Sequence, residues 1–190
     1  MYHGLQSKTF ERDRDRDAEL TAAGWIVVRF TYRAITTRPE RTAERIALLD
    51  ARAASRLAIS DAPGAQADAQ AMLQQARSAA SPTLEATALC RLAAVQTRQG
   101  QMAAAVASAT AALEAAHRAR HRPVQARALF RLAEAQFRSF DNAAAQRHAA
   151  QAVALFDALG DKVGMGRALW AQGFAHDQQG QARERDRCAG

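Results

Sequence analysis

Small apolar residues recur along this chain with the period of an α-helix from about residue 45 to 185. Alanine, with occasional leucine or valine, stands at i, i+4 and i+7 or i+8 in successive segments of roughly 16–18 residues. Polar residues fill the positions between them. Turn-forming residues separate the segments at Gly100 and at 81–83, 121–123, 139–142 and 160–164. The pattern predicts a series of helices that pack closely through narrow faces of small residues.

The helical pattern repeats at a spacing of 40 residues. Leu89, Leu129 and Leu169 match in this alignment, and Gly100 and Gly180 match, so we expect both glycines to end a helix. A single helical hairpin cannot cover its own apolar face, and the hairpins must therefore stack. The predicted fold is mostly α: a right-handed α-α superhelix of about three and a half stacked hairpins. The aligned stretches are 86–100, 126–140 and 166–180 for the first helix of each unit, and 61–76, 101–116 and 141–156 for the second helix.

The repeat resembles the tetratricopeptide repeat over roughly 135 residues. That family has a leucine or aromatic residue, an apolar and a small residue soon after it, and small residues along the second helix. The usual unit is about 34 residues, and a unit of 40 resembles the extended repeats of bacterial signalling proteins and regulators. In the third unit Gly173 fits the pattern and Gln172 departs from it. The matching positions are Leu89, Leu92, Ala93, Ala105, Ala109 and Ala112, and then Leu129, Leu132, Ala133, Ala145, Ala149 and Ala152.

The resemblance implies that the first helices line a groove that binds a protein or peptide segment. Arginines recur on these helices, two of them seven residues apart in each of two units, so that each pair shares a helix face. Because guanidinium groups suit carboxylates, the groove is expected to select an acidic partner. The alternative interpretation is an ordinary solvated basic face. The predicted partner-binding residues are Arg91, Arg98, Arg127, Arg131, Arg138 and Arg167.

The first 44 residues have a different pattern. A charged segment at 10–20 predicts a helix, Gly24 a helix end, the aromatic and β-branched stretch 25–33 a strand, and 38–49 a helix with Pro39 in its first turn. This segment resembles the C-terminal part of a domain-of-unknown-function family related to very-short-patch-repair endonucleases. The matching residues are Phe10, Glu11, Arg12, Asp13, Arg14, Arg16, Asp17, Leu20, Ala23, Gly24, Trp25, Val28, Arg29, Phe30, Thr31, Arg38, Pro39 and Glu40.

The endonuclease resemblance implies a metal site on acidic strands upstream of the charged helix, and we expect those strands to lie before Met1. His3 stands where the family has a histidine after its acidic strands. The charged run at Asp13, Asp15 and Asp17 does not replace the missing carboxylates, since alternate residues of a helix point apart. The segment 1–44 is therefore interpreted as a truncated helix-strand-helix fragment, inactive as this chain.

Composition limits the remaining chemistry. The net charge is +7 from 26 basic and 19 acidic residues, and nine basic and eight acidic residues fall in 1–50, so the excess lies in the repeats. Cys90 and Cys188 form no CxxC motif, which argues against a zinc site. His117 and His121 are spaced i, i+4 without an acidic third ligand. We expect no cofactor, no metal, no membrane span and a cytoplasmic location.

Two functions from different classes follow from the sequence. The favoured one is a non-catalytic protein-interaction module at residues 45–185, with a tail at 186–190, in signalling or regulation. The alternative is the C-terminal part of a restriction-endonuclease-like nuclease that acts on DNA and carries the repeats as an accessory.

Overall fold

The computed structural model describes residues 39–189, with side chains described for residues 42–178. This part of the chain forms three helical hairpins followed by a long final helix, and turns of three residues join successive helices. The helices are α1 (Pro39–Ala58), α2 (Ala62–Ser78), α3 (Pro82–Arg98), α4 (Met102–Arg118), α5 (Arg122–Arg138), α6 (Asn142–Ala158) and α7 (Lys162–Ala189).

The helix boundaries follow the 40-residue period of the sequence. Helices α3, α5 and α7 begin at residues 82, 122 and 162, and helices α2, α4 and α6 begin at residues 62, 102 and 142. Each helix packs on the next one in the chain. The prediction of a mostly helical stack of hairpins is therefore confirmed.

The first helices of the hairpins form one continuous layer. Helix α1 packs on α3, α3 on α5, and α5 on α7, whereas α2, α4 and α6 do not pack on one another in the part of the chain that the structure describes. Alanines with no exposed surface form the contacts between helices. Because the alanine side chain is small, the helices can approach closely. They include Ala65, Ala69, Ala93, Ala105, Ala109, Ala133, Ala145 and Ala149.

All six turns between these helices have the same backbone conformation. The middle residue of each turn has a positive φ, and the third residue donates its N–H to the carbonyl five positions earlier. This is the geometry that commonly ends a helix at a left-handed residue. Only two of the six left-handed residues are glycines. They are Ser60, Ala80, Gly100, Arg120, Phe140 and Gly160, with φ between 47° and 77°.

Replacing Phe140 with glycine is expected to raise the free energy of unfolding by about 1 kcal/mol. Phe140 has a φ of 64° and is 77% exposed, so the substitution relieves backbone strain and removes little packing. Urea unfolding followed by circular dichroism measures the change. The matched control is Gly100→Phe, one unit earlier with a φ of 77° and open space around it, which should lower stability. A glycine at 140 that left stability unchanged would contradict the prediction.

One boundary differs from the sequence-based expectations. The prediction of a turn at Gly180 is wrong, because α7 continues through this residue to Ala189. Helix α1 runs from Pro39 to Ala58 without a break. Gly100 does lie in a turn. Glycine therefore ends a helix at position 100 but not at position 180, the equivalent position two units later. The predicted strand at 25–33 and the charged helix at 10–20 lie outside the described residues.

Candidate functional site

An open groove of about 950 Å³ runs across the layer of first helices. Residues from α1, α3, α5 and α7 all contribute to its lining. Alanine, leucine, valine and aromatic side chains supply its apolar surface, and the basic residues outnumber Glu134, the one acidic residue among the described residues that line it. The apolar lining residues are Ala54, Leu57, Ala58, Ala94, Phe130, Val163, Gly166 and Trp170, and the basic ones are Arg91, Arg98, Arg131, Lys162 and Arg167.

A second, smaller pocket of about 120 Å³ adjoins the groove between α3, α5 and the start of α7. The two spaces are adjacent, because they share Arg91, Phe130, Arg131, Val163 and Arg167 as lining residues. The small pocket is the place where four arginines meet. It is also bordered by Asp50, Thr87, Cys90, Arg127, Phe156, Asp161 and Gly164.

Two of these arginines are held in ion pairs. The Arg91 Nε lies 2.6 Å from the Asp50 Oδ1, which joins α3 to α1 across 41 residues of sequence. The Arg131 Nη1 lies 2.7 Å from the Glu134 Oε2, one turn along the same helix. Both pairs are largely shielded from water, so the partners partly neutralise each other and fix both guanidinium groups.

Three other arginines of the groove have no carboxylate partner among the described residues. Arg98 lies near the end of α3, Arg127 in the second turn of α5, and Arg167 in the second turn of α7. All three side chains are exposed. Arg98 lines the groove, Arg127 lines the small pocket, and Arg167 lines both. These three guanidinium groups are therefore available to an incoming anion.

The structure brings together five of the six predicted partner-binding arginines. The sixth, Arg138, is exposed in the last turn of α5 and lines neither space. The spacing of seven residues from Arg131 places it on the same helix face but beyond the end of the groove. Sequence reasoning missed Trp170, Lys162 and the pairing acids. Trp170 is aligned with the buried Phe130, and the repeat pattern therefore suggested core packing.

Trp170 belongs to an aromatic cluster at one end of the groove. Its ring centroid lies 4.6 Å from that of Phe174 and 6.2 Å from that of Phe137 on the neighbouring helix α5. Trp170 and Phe174 remain about half exposed. The cluster packs within itself, as the sequence suggested, and it also offers an apolar surface to a ligand beside Arg167.

Cys90 lies at the inner wall of the small pocket and is almost completely buried. Burial raises the pKa of its thiol to about 11, and the nearby Arg127, Arg131 and Arg91 only partly oppose this effect. The thiol is therefore protonated at neutral pH and is a poor nucleophile. Cys90 therefore behaves as a small apolar residue of the core.

Other chemistry is limited within residues 42–178. No cluster of three metal-ligating side chains occurs there. His121 accepts a hydrogen bond at Nδ1 from the Val124 N–H at 3.3 Å and so caps α5. None of the described helices is both long enough and apolar enough to cross a membrane.

No protein-family model matches the chain, and no curated protein matches it.

Proposed function

We propose that residues 45–185 are a non-catalytic protein-interaction module that binds an acidic segment of a partner protein in the groove. The observation that carries this proposal is the set of Arg98, Arg127 and Arg167. All three are exposed and line the groove or the adjacent small pocket, and none has a carboxylate partner among the described residues. Unpaired guanidinium groups along a groove attract carboxylates and bind them through paired hydrogen bonds.

The shape of the groove favours a polypeptide over a small metabolite. Four helices line it, and neighbouring packed helices lie about 9 Å apart, so it extends for roughly 27 Å. An extended chain advances about 3.3 Å per residue, and a segment of roughly 8 residues would therefore span the groove. Small-molecule sites are usually more enclosed than a groove open along one side.

The lining also favours a segment that carries apolar residues among its acids. Val163 and Trp170 line the groove together with Lys162 and Arg167 of the same helix, and both apolar side chains are exposed. A purely acidic segment would leave this apolar surface in water, whereas an acidic segment with leucine or aromatic residues would cover it. Burial of such surface contributes about 25 cal/mol per Å².

The resemblance to tetratricopeptide repeats supports the same proposal, including a cytoplasmic role in signalling or regulation. The competing function, that of an endonuclease fragment, depends on the matching residues before α1. Those residues lie outside the described part of the chain, and no described side chain favours DNA cleavage. Nuclease activity of a longer protein stays a prediction from the sequence alone.

The test of the groove uses a fluorescein-labelled peptide of alternating glutamate and leucine, about 8 residues long, in an anisotropy titration. We expect the triple substitution Arg98→Gln, Arg127→Gln and Arg167→Gln to weaken binding at least tenfold, which is about 1.4 kcal/mol. The substitutions break no ion pair among the described residues, so the fold should be retained. Added salt should weaken binding to the unsubstituted protein because it screens exposed charges.

The matched control removes the same charge elsewhere. Arg120, Arg122 and Arg147 line neither the groove nor the small pocket, and their replacement by glutamine should leave the affinity within about twofold. A lysine–leucine peptide should not bind. Equal weakening by the two triple variants would mean that general charge attraction, and not the groove, holds the peptide, and the proposal would then be wrong.

A further inference from the structure

We propose that the small pocket beside the groove binds a phosphoryl group carried by a side chain of the partner segment. This inference rests on the proposed function, because it takes the groove to hold the rest of that segment. It names a more specific ligand: a phosphorylated peptide in place of one that is merely acidic.

The charges around the pocket favour an anion. Asp50 is paired with Arg91, and Glu134, at the groove side, is paired with Arg131. Asp161 uses its Oδ1 to accept a hydrogen bond from the Gly164 N–H at 2.8 Å at the start of α7, and its carboxylate keeps its negative charge. Arg127 and Arg167 remain without a carboxylate partner in the described part of the chain, so positive charge still exceeds negative charge around the pocket.

A phosphoryl group matches two guanidinium groups better than a carboxylate does. At pH 7 it carries a charge of about −1.5 to −2 and three strong acceptor oxygens. One carboxylate carries a single charge and two acceptor oxygens. A phosphoryl group can therefore engage Arg127 and Arg167 together, each through charge-assisted hydrogen bonds.

The size and position of the pocket fit a terminal group. A volume of about 120 Å³ corresponds to roughly four water molecules, which is too small for a peptide backbone with its side chains. The pocket lies beside the groove, because five residues line both spaces. A chain lying in the groove would thus pass next to the pocket, within reach of one of its side chains. The first turn of α7 also borders the pocket, and the Asp161 carboxylate already caps the N-terminus of this helix.

The pocket wall around Cys90 is rich in arginine. Arg127, Arg131 and Arg91 line the pocket together with Cys90, and their charges oppose the rise of the thiol pKa that burial causes, whereas the charge of Asp50 adds to it. Three arginines from two helices therefore border the pocket at this wall. Two of them, Arg91 and Arg131, are fixed by ion pairs, so the wall is preorganised before a ligand arrives.

The experiment compares three fluorescein-labelled peptides that differ only at one central residue, which is serine, glutamate or phosphoserine. The flanking residues alternate glutamate and leucine. We expect the phosphoserine peptide to bind at least tenfold more tightly than the glutamate peptide. Arg127→Gln with Arg167→Gln should abolish this preference. Arg98→Gln, in the groove but outside the small pocket, should weaken all three peptides and preserve the preference.

The preference for phosphoserine should also depend on pH, because the phosphoryl group gains its second negative charge as the pH rises. The second pKa of a phosphoryl group is near 6, so the advantage of phosphoserine over glutamate should shrink as the pH falls from about 7.5 to 5.5. Equal affinity of the glutamate and phosphoserine peptides would overturn the phosphoryl proposal and leave the acidic groove intact. A preference that survives in the double variant would also overturn it. Failure of all three peptides to bind would overturn the proposed function as well.

Discussion

Truncation of Phe156 to alanine is expected to lower the free energy of unfolding by about 3–5 kcal/mol. Phe156 lies in the last turn of α6, is 3% exposed, and joins the third hairpin to α7. It packs in a cluster that contains Leu129, Phe130 and Ala168. Alanine neighbours cannot expand to fill the space that the ring leaves, so a cavity would remain. Urea unfolding followed by circular dichroism measures the loss.

Gly164 provides a sharper test of the same contact. A Cβ added at Gly164 would overlap the Phe156 ring, so Gly164→Ala should cost about 1–3 kcal/mol in the unsubstituted protein. In the Phe156→Ala background the ring is gone, and alanine is favoured over glycine within a helix by about 1 kcal/mol. The same substitution should then be neutral or stabilising. This change of sign would measure the coupling between the two residues.

The Asp161 cap at the start of α7 does not change how this test is interpreted. The added Cβ would also lie 2.7 Å from the Asp161 Oδ2. At the start of α6, however, Asp141 caps the N–H of Ala144 at 3.1 Å, so an aspartate cap tolerates a Cβ at that position. Phe174→Ala, a half-exposed phenylalanine on α7, is the control and should cost less than Phe156→Ala. Equal losses of stability in Phe174→Ala and Phe156→Ala would contradict the packing described. So would a Gly164→Ala effect that is the same with and without the Phe156 ring.

Replacing both Arg52 and Arg56 with methionine is expected to destabilise the first hairpin by about 3–5 kcal/mol. The Asp68 side chain is 3% exposed between α1 and α2, and both arginines neutralise it. The Arg52 Nε lies 2.9 Å from the Asp68 Oδ2, and the Arg56 Nη1 lies 2.9 Å from the same oxygen. Removal of both partners leaves a buried carboxylate without compensation. Thermal and urea unfolding both report the loss.

Removal of Asp68, the partner of both arginines, should lower the free energy of unfolding much less. The Arg52 and Arg56 side chains are 57% and 32% exposed, so water can hydrate them once Asp68 is gone. Asp68→Leu alone should therefore cost about 1 kcal/mol or less, and the triple variant with leucine at 68 should recover most of the stability lost by the double variant. If Asp68→Leu cost as much as the double arginine substitution, the asymmetry argued from burial would be wrong.

Much of the fold was predictable because small residues recur at fixed positions in every repeat. Alanine at regular helical spacing leaves few ways to cover an apolar face other than close stacking of hairpins, and a period of 40 residues fixed where each hairpin recurs. Turns were predicted both at Gly100 and at 139–142, but the residue type at Phe140 gave no sign that this residue would adopt the left-handed conformation. The prediction of a turn at Gly180 failed, because glycine permits a turn but α7 continues through this residue.

The candidate site was predictable only in part. The arginine spacing indicated which side chains share a helix face, and five of the six arginines line the groove or the small pocket. The spacing could not indicate that the face ends before Arg138, nor that Trp170 would stay half exposed while the equivalent Phe130 is buried. Both outcomes depend on which neighbouring helix covers each position.

The sequence by itself determined the helical class, the length of the repeating unit, the small residues at the contacts and the basic character of the first helices. These properties follow from local periodicity and residue size. Only the tertiary structure decided which charges remain for a partner. Arg91 meets Asp50 from a helix 41 residues away, and Arg131 meets Glu134, whereas Arg127 and Arg167 converge on one pocket without a carboxylate of their own among the described residues. Pairing between charges depends on distances across packed helices, and those distances are set by how closely alanine lets the helices approach.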